Sequence, residues 1–209
     1  MEHAMSTVKE VPSPIDLRNK KAAREWERTA LEKRPERPLF FGKFAEQIQL
    51  KGDVAAILEL GSGPGFLAEY ILCHSDVRDY FALDFSAAMH GLARKRLGEF
   101  SQNVHFVERS FKSDDWMEGL GKFSCVVTNQ AVHELRHKSL APRLHMQVRS
   151  ILHEGGLYLV NDHFAGPDGM SNDELYMTRE EQIEALRVAG FSEIQTLICQ
   201  SKMTLLGAA

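Results

Sequence analysis

The segment Glu59-Leu60-Gly61-Ser62-Gly63-Pro64-Gly65-Phe66 carries the densest chemical signal in the chain. Its alternate glycines permit positive-φ backbone and let a ligand approach the main chain closely. The apolar run Ile57 to Leu60 reads as a buried strand, and Phe66 opens a helix whose first amides have no intrahelical partner. Such amides attract negative or hydrogen-bond-accepting groups. Asp84 follows Gly61 by 23 residues and ends a second apolar run. A carboxylate so placed accepts from both hydroxyls of an adenosine ribose. Together, turn and acid read as a nucleotide-type cofactor site. Two cofactor classes share this geometry. Dinucleotide turns favour G-x-G-x-x-G, whereas here Phe66 stands where the third glycine would fall. Glu59 would also repel a pyrophosphate, but it tolerates a cationic, ammonium-bearing cofactor.

Two histidines end later apolar runs. His133 lies in Thr128-Asn129-Gln130-Ala131-Val132-His133-Glu134-Leu135, and His163 closes Asn161-Asp162-His163. Imidazole exchanges protons near neutrality, so His133 is a candidate base or substrate-orienting group. The rival assignment packs it under the cofactor loop. Asp162 and His163 are candidates for substrate contact, or else a strand-end turn. His137, His145 and His153 are expected to be solvated on one helix. Neither a zinc-ligand spacing nor a nucleophilic-cysteine constellation is present.

The elements that must position these residues alternate. Strands are expected at 54–60, 80–83, 104–108, 123–128, 157–161, 193–199 and 202–206. Helices are expected at 65–74, 86–99, 136–152 and 179–189, with a short one near Trp116. This alternation predicts an α/β fold with a Rossmann-like, mostly parallel sheet and helices on both faces. The last two strands are too close for a crossover, so they form a hairpin with one antiparallel strand. Residues 1–12 are expected to be a disordered tail and 51–209 the core, a single domain overall. Residues 13–50 are expected to form an N-terminal helical lid. Ser13-Pro14-Ile15-Asp16 resembles a helix start, opening a helix to about Arg34, with a second from Pro38 to Leu50. In the lid, Trp26, Phe40 and Phe41 are candidate walls of an apolar pocket, although Phe40, Phe44 and Ile48 also suit packing on the sheet.

The 209 residues, 44% of them hydrophobic, suffice for one buried domain. The net charge of −4, without a basic block, argues against a nucleic-acid surface. No apolar run approaches the roughly 20 residues that span a bilayer. Cys73, Cys125 and Cys199 are too scattered for a disulfide framework and fit reduced, buried thiols, hence a cytoplasmic location.

Several of these segments resemble the class I S-adenosylmethionine-dependent methyltransferases of the small-molecule type. Glu59 to Gly65 is similar to their first motif. Leu83-Asp84-Phe85-Ser86-Ala87-Ala88-Met89 is similar to the second-strand motif, and Glu154-Gly155-Gly156-Leu157 to the turn into the fifth strand. The resemblance covers about residues 38–206 and implies a seven-stranded sheet and S-adenosyl-L-methionine as cofactor. Gly61, Ser62 and Gly63 would line its methionine part, with Glu59 and Gly65 in the same turn. Asp84 would hold the ribose, Phe85 and Met89 flank the adenine, and Asn129 contact the methionine part. Ser110, beside Phe111, stands where many relatives carry an acid that reads the adenine; Asp114 or Asp115 could also reach it.

The resemblance implies in-line methyl transfer to an O or N atom of a small organic acceptor, with His133 and His163 as catalytic candidates. The fourth-strand segment lacks the N/D-P-P-Y/F run of methyltransferases acting on base amines. A cofactor-binding protein without independent catalysis, a protein or RNA methyltransferase, and a dinucleotide-dependent dehydrogenase remain the alternatives. Sequence alone leaves the acceptor and the oligomeric state open.

Overall fold

The computed structural model describes residues 8–209. Seven strands form one sheet: β1 (Ala56–Leu60), β2 (Asp79–Asp84), β3 (Val104–Glu108), β4 (Phe123–Asn129), β5 (Leu152–His163), β6 (Ile194–Gln200) and β7 (Met203–Ala208). Their order is β3-β2-β1-β4-β5-β7-β6. β7 pairs antiparallel with both β5 and β6, while the pairs joining β3, β2, β1, β4 and β5 are parallel. The expected Rossmann-like sheet with one antiparallel strand is therefore present. Chain order reverses between β1 and β4, so a crevice opens at the carboxyl ends of β1, β2 and β4, where ligands of open α/β sheets bind.

Strand alternation divides the core. Ile57, Tyr80, Val127 and Leu205 face α2 (Arg37–Lys51) and α3 (Phe66–His74). Leu58, Val126, Tyr158 and Leu206 face α5 (Ala141–Ile151) and α6 (Arg179–Val188). α4 (Ala87–Leu97) follows β2; Ser86 caps it by accepting from the Met89 amide at 3.2 Å. Phe40, Phe41, Phe44 and Ile48 of α2 all enter the first of these two layers. Phe40 and Phe41 thus build the sheet face and do not wall a pocket.

The N-terminal region departs most from expectation. Of the expected tail, residues 1–7 lie outside the described residues, but the amide of Val11 donates to the Arg136 carbonyl at 2.8 Å. The expected helix from Ser13 begins only at α1 (Lys20–Lys33). Asn19 caps it instead, its Oδ1 accepting from the amides of Lys21 and Ala22. Ser13 turns its hydroxyl to the Ile15 carbonyl, and Asp16 accepts from the Arg18 amide. These local bonds favour a turn over a helix at that site. Residues 8–19 consequently form a strap without regular structure that ends in a turn at Asp16–Asn19.

Three smaller differences concern local chemistry. The region around Trp116 consists of turns, and its indole is fully buried, donating to Gln147 Oε1 at 3.0 Å. The helix expected from 136 starts at Ala141, after short 3-10 turns at Val132–Leu135 and Lys138–Leu140. β5 begins at Leu152, earlier than expected, by absorbing Gly155-Gly156 in an irregularity of its pairing with β4. Among the histidines expected to be solvated, His145 is buried against the Tyr158 hydroxyl at 3.1 Å, and burial lowers its pKa to about 4. His137 is half-buried, and His153 lies exposed on β5. Only Cys125 is buried; Cys73 and Cys199 are exposed, and all three thiols are free.

Candidate functional site

The glycine turn is tied to its neighbour strand by the main chain. The amides of Gly61 and Ser62 both donate to the Leu83 carbonyl, at 2.8 and 3.0 Å. Asp84, one residue on, accepts from the Gly63 amide at 2.8 Å and from the Ser86 amide at 2.9 Å. Gly61 has φ +70°, and a Cβ there would lie 2.5 Å from the Ala131 Cβ, so the turn sits tight against the end of β4. Gly63 also has positive φ (+53°), but nothing lies within 4 Å of its missing Cβ. The first glycine is demanded by packing, the second leaves open space for a ligand. Gly65 belongs to neither case: it faces Ala93 of α4, 3.1 Å from a would-be Cβ, and does not line the cavity.

That space is a cavity of about 800 Å³ at the carboxyl ends of β1, β2 and β4. It lies in the upper part of the range of about 300–1,000 Å³ usual for small-molecule sites. Of the residues expected at a cofactor site, Glu59, Gly61, Ser62, Gly63, Asp84, Phe85, Met89, Ser110, Phe111 and Asn129 all line it. Both expected catalytic residues, His133 and His163, line it too. Asp114 and Asp115 do not; Asp114 instead pairs with Arg143 at the surface. The strap and α1 roof the cavity with Ile15, Leu17, Arg18 and Trp26. Arg136 anchors the strap by donating to the carbonyls of Val11 and Pro12, and Ser86 does so by donating to that of Leu17 at 2.6 Å. Arg18 lies over the Phe85 ring, 4.6 Å from its centroid.

The inner wall is acidic. Glu59 is 2% exposed and accepts from the Tyr80 hydroxyl at 2.7 Å. Burial, opposed by this bond and reinforced by the charge of Asp84, raises its pKa to about 8. Asp84 is pushed up to about 6 by burial, against the lowering effect of its backbone donors. Ser62 Oγ is buried without a hydrogen-bond partner. An unpaired hydroxyl, an open glycine and two acids held above their ordinary range suit a ligand bearing donors and positive charge.

The histidines differ sharply. Asp162 accepts from His133 Nδ1 at 2.6 Å and from the His133 backbone amide at 2.8 Å. Burial opposes the imidazolium, but Asp162 and, at 3.4 Å from Nε2, Glu134 outweigh it and raise the His133 pKa to about 10. Asp162 is correspondingly held below the usual carboxylate range despite its burial. His163 is driven the other way, to about 4, by burial, which outweighs the pull of Asp162 and is aided by His133 and Arg34. Its Nδ1 faces the Lys202 carbonyl at 3.3 Å, so in the neutral ring Nδ1 carries the proton and Nε2 is free to accept. Tyr176 sits beside both rings, 5.4 and 5.8 Å between centroids. Asp162 therefore orients His133.

A family model described as a methyltransferase domain matches residues 57–156, from β1 into β5. The match takes in the glycine turn, Asp84 and the end of β4, the elements that frame the cavity. Solved structures share its fold. DhpI in a complex with SAH is 19% identical, with a TM-score of 0.69 over 91% of this chain and 92% of that one. An O-methyltransferase family protein from Burkholderia thailandensis is 16% identical, with a TM-score of 0.74 over 91% of this chain and 60% of its own. The CurJ carbon methyltransferase is 17% identical, with a TM-score of 0.61 over 74% of this chain; the chain spans about half of its length (48%). No curated protein matches the chain. At these identities the likeness concerns the fold.

Sequence reasoning found the glycine-turn wall of the cavity and missed the basic one. Lys33, Arg34, Arg37 and Arg136 all line the cavity. Arg37 is 7% exposed, and its NH2 group donates to Gln130 Oε1 at 2.7 Å. Its setting, Arg34-Pro35-Glu36-Arg37-Pro38, reads from sequence only as a helix boundary. Among the described residues, no helix is long and apolar enough to cross a membrane.

Proposed function

We propose that the protein transfers a methyl group from S-adenosyl-L-methionine to an O or N atom of a small organic acceptor. The observation that carries this is one cavity lined by the open Gly63 turn, the acids Glu59 and Asp84, and the histidine pair. Gly61 to Gly63 and Asn129 would hold the methionine part, with Glu59 near its ammonium group. Asp84 would accept from the ribose hydroxyls, and Phe85, Met89 and Ser110 would bound the adenine. The cofactor supplies an activated sulfonium methyl, so the protein's task is alignment and exclusion of water.

At neutral pH His133 already carries its proton and His163 binds one weakly. Neither matches the pKa near 7 that suits a general base. Within this proposal His133 orients the acceptor as a hydrogen-bond donor and His163 does so as an acceptor through Nε2. The acceptor then arrives with its lone pair available. Calorimetric titration with S-adenosylhomocysteine and with NAD tests the cofactor assignment. Saturable binding of the former and none of the latter is expected; the reverse sinks it. The roof of strap and α1 and the lack of a basic stripe favour a small molecule over RNA or protein.

A further inference from the structure

Arg37 is a buried member of the basic wall, which the cofactor does not explain. It is the first residue of α2, almost wholly buried, and lines the cavity beside Lys33 and Arg34. Its guanidinium lies over the Trp26 ring, 5.0 Å from the centroid, and its Nε has no hydrogen-bond partner. Among the described residues no carboxylate lies within ion-pair range of it; the nearest polar partner is the neutral amide of Gln130. Burying a cation without an ion-pair partner is costly, and here burial and Arg34, opposed by the charge of Glu36, pull its pKa down to about 10. The guanidinium lines the cavity with one NH2 group held by Gln130 and Nε buried without a partner, and a planar guanidinium binds carboxylate or phosphate through two parallel bonds. Of the acids that line the cavity, Glu59 and Asp84 lie at the ends of β1 and β2, Glu134 lies in the turn after β4, and Asp16 sits on the strap; none forms an ion pair with Arg37.

We propose that Arg37, oriented by Gln130 and backed by Trp26, is the binding site for an anionic group, carboxylate or phosphate, on the methyl acceptor. The pocket thereby offers a cationic cofactor the buried acids Glu59 and Asp84 and an anionic acceptor the guanidinium of Arg37. Naming the ligand an acceptor rests on the proposed methyl transfer; the anion preference itself does not.

The test compares benzoate, phenyl phosphate and neutral benzamide by calorimetry, with and without S-adenosylhomocysteine. At least one anion is expected to bind about tenfold or more tightly than benzamide, and the stronger of the two identifies the group. In Arg37→Gln this preference should collapse while S-adenosylhomocysteine affinity stays unchanged. Arg37→Lys keeps the charge and loses the fork, so it serves if the glutamine variant does not fold; the favoured anion should then weaken by about tenfold. Equal binding of anions and benzamide, no binding by either anion, or an anion affinity unchanged by either substitution overturns the proposal. Failure of S-adenosylhomocysteine to bind, with the anion preference intact, removes the methyl-transfer assignment and leaves the anion site standing.

Discussion

Asp162→Asn probes the least ordinary electrostatics in the molecule. The Asp162 carboxylate accepts the His133 ring and two backbone amides, those of His133 at 2.8 Å and His163 at 2.7 Å. An asparagine replaces one acceptor by a donor and points it at groups that also donate. The His133 pKa, raised from 6.5 to about 10, corresponds to roughly 5 kcal/mol at about 1.36 kcal/mol per pH unit. Breaking a buried ion pair by removing one partner costs about 3–5 kcal/mol, so a loss of that size is expected at pH 7. Because the folded pKa of His133 lies above its unfolded value, its contribution is complete below pH 6.5 and disappears as pH rises through about 10. For Asp162 the folded value is depressed, so its contribution fades only in acid. Urea unfolding at several pH values and NMR titration of the His133 ring supply the measurements. Wild-type His133 should show no titration between pH 5 and 9, and in Asp162→Asn it should be neutral at pH 7. A wild-type midpoint near 6.5, or a stability loss under about 1 kcal/mol, would refute the reasoning.

Three further outcomes are expected. Glu59 is largely protonated at pH 7, so a cationic ligand at the acidic wall should expel about one proton, seen as buffer-dependent binding heat for S-adenosylmethionine; Glu59→Gln should abolish it. Since Glu59 is raised on folding, ligand-free stability should fall as pH climbs from about 4.5 to 8, and this slope should shrink in the same variant. Gly61→Ala forces a Cβ against Ala131 and should destabilise by about 2 kcal/mol or more, whereas Gly63→Ala should cost about 1–2 kcal/mol in backbone strain and weaken cofactor binding; equal unfolding curves for the two would contradict the contacts around Gly61. Arg136→Ala frees the strap and should make residues 8–19 sensitive to limited proteolysis, an effect that intact wild-type-like digestion patterns would disprove.

The sheet and the glycine-turn wall of the cavity were legible because they rest on local patterns. Apolar runs mark β1, β2 and β4, and glycine spacing with Asp84 marks the turn. The basic wall was hidden because it forms only when the end of α1 and the start of α2 fold across the cavity. Arg37 meets Gln130 across 93 residues of chain, a distance no periodicity reports. The strap failed for a related reason. Ser13-Pro14-Ile15-Asp16 carries helix-start chemistry, yet Asp16 closes a turn on Arg18 and the chain is drawn across to Arg136 and Ser86. The histidine pair lay between these extremes: sequence placed His133 and His163 at adjacent strand ends, but their opposite pKa shifts arise because burial prevails at His163 while the carboxylates of Asp162 and Glu134 prevail at His133.

The strap also governs time. Val11 exchanges bonds with Arg136, Leu17 is held by Ser86, and Arg18 covers Phe85. Were a ligand to leave beneath it, several of these contacts would have to open together. Its residence would then depend on a dozen residues of main chain that form no part of the sheet. Substitutions along 8–19 should tune dwell time and throughput while the sheet that shapes the cavity keeps its stability.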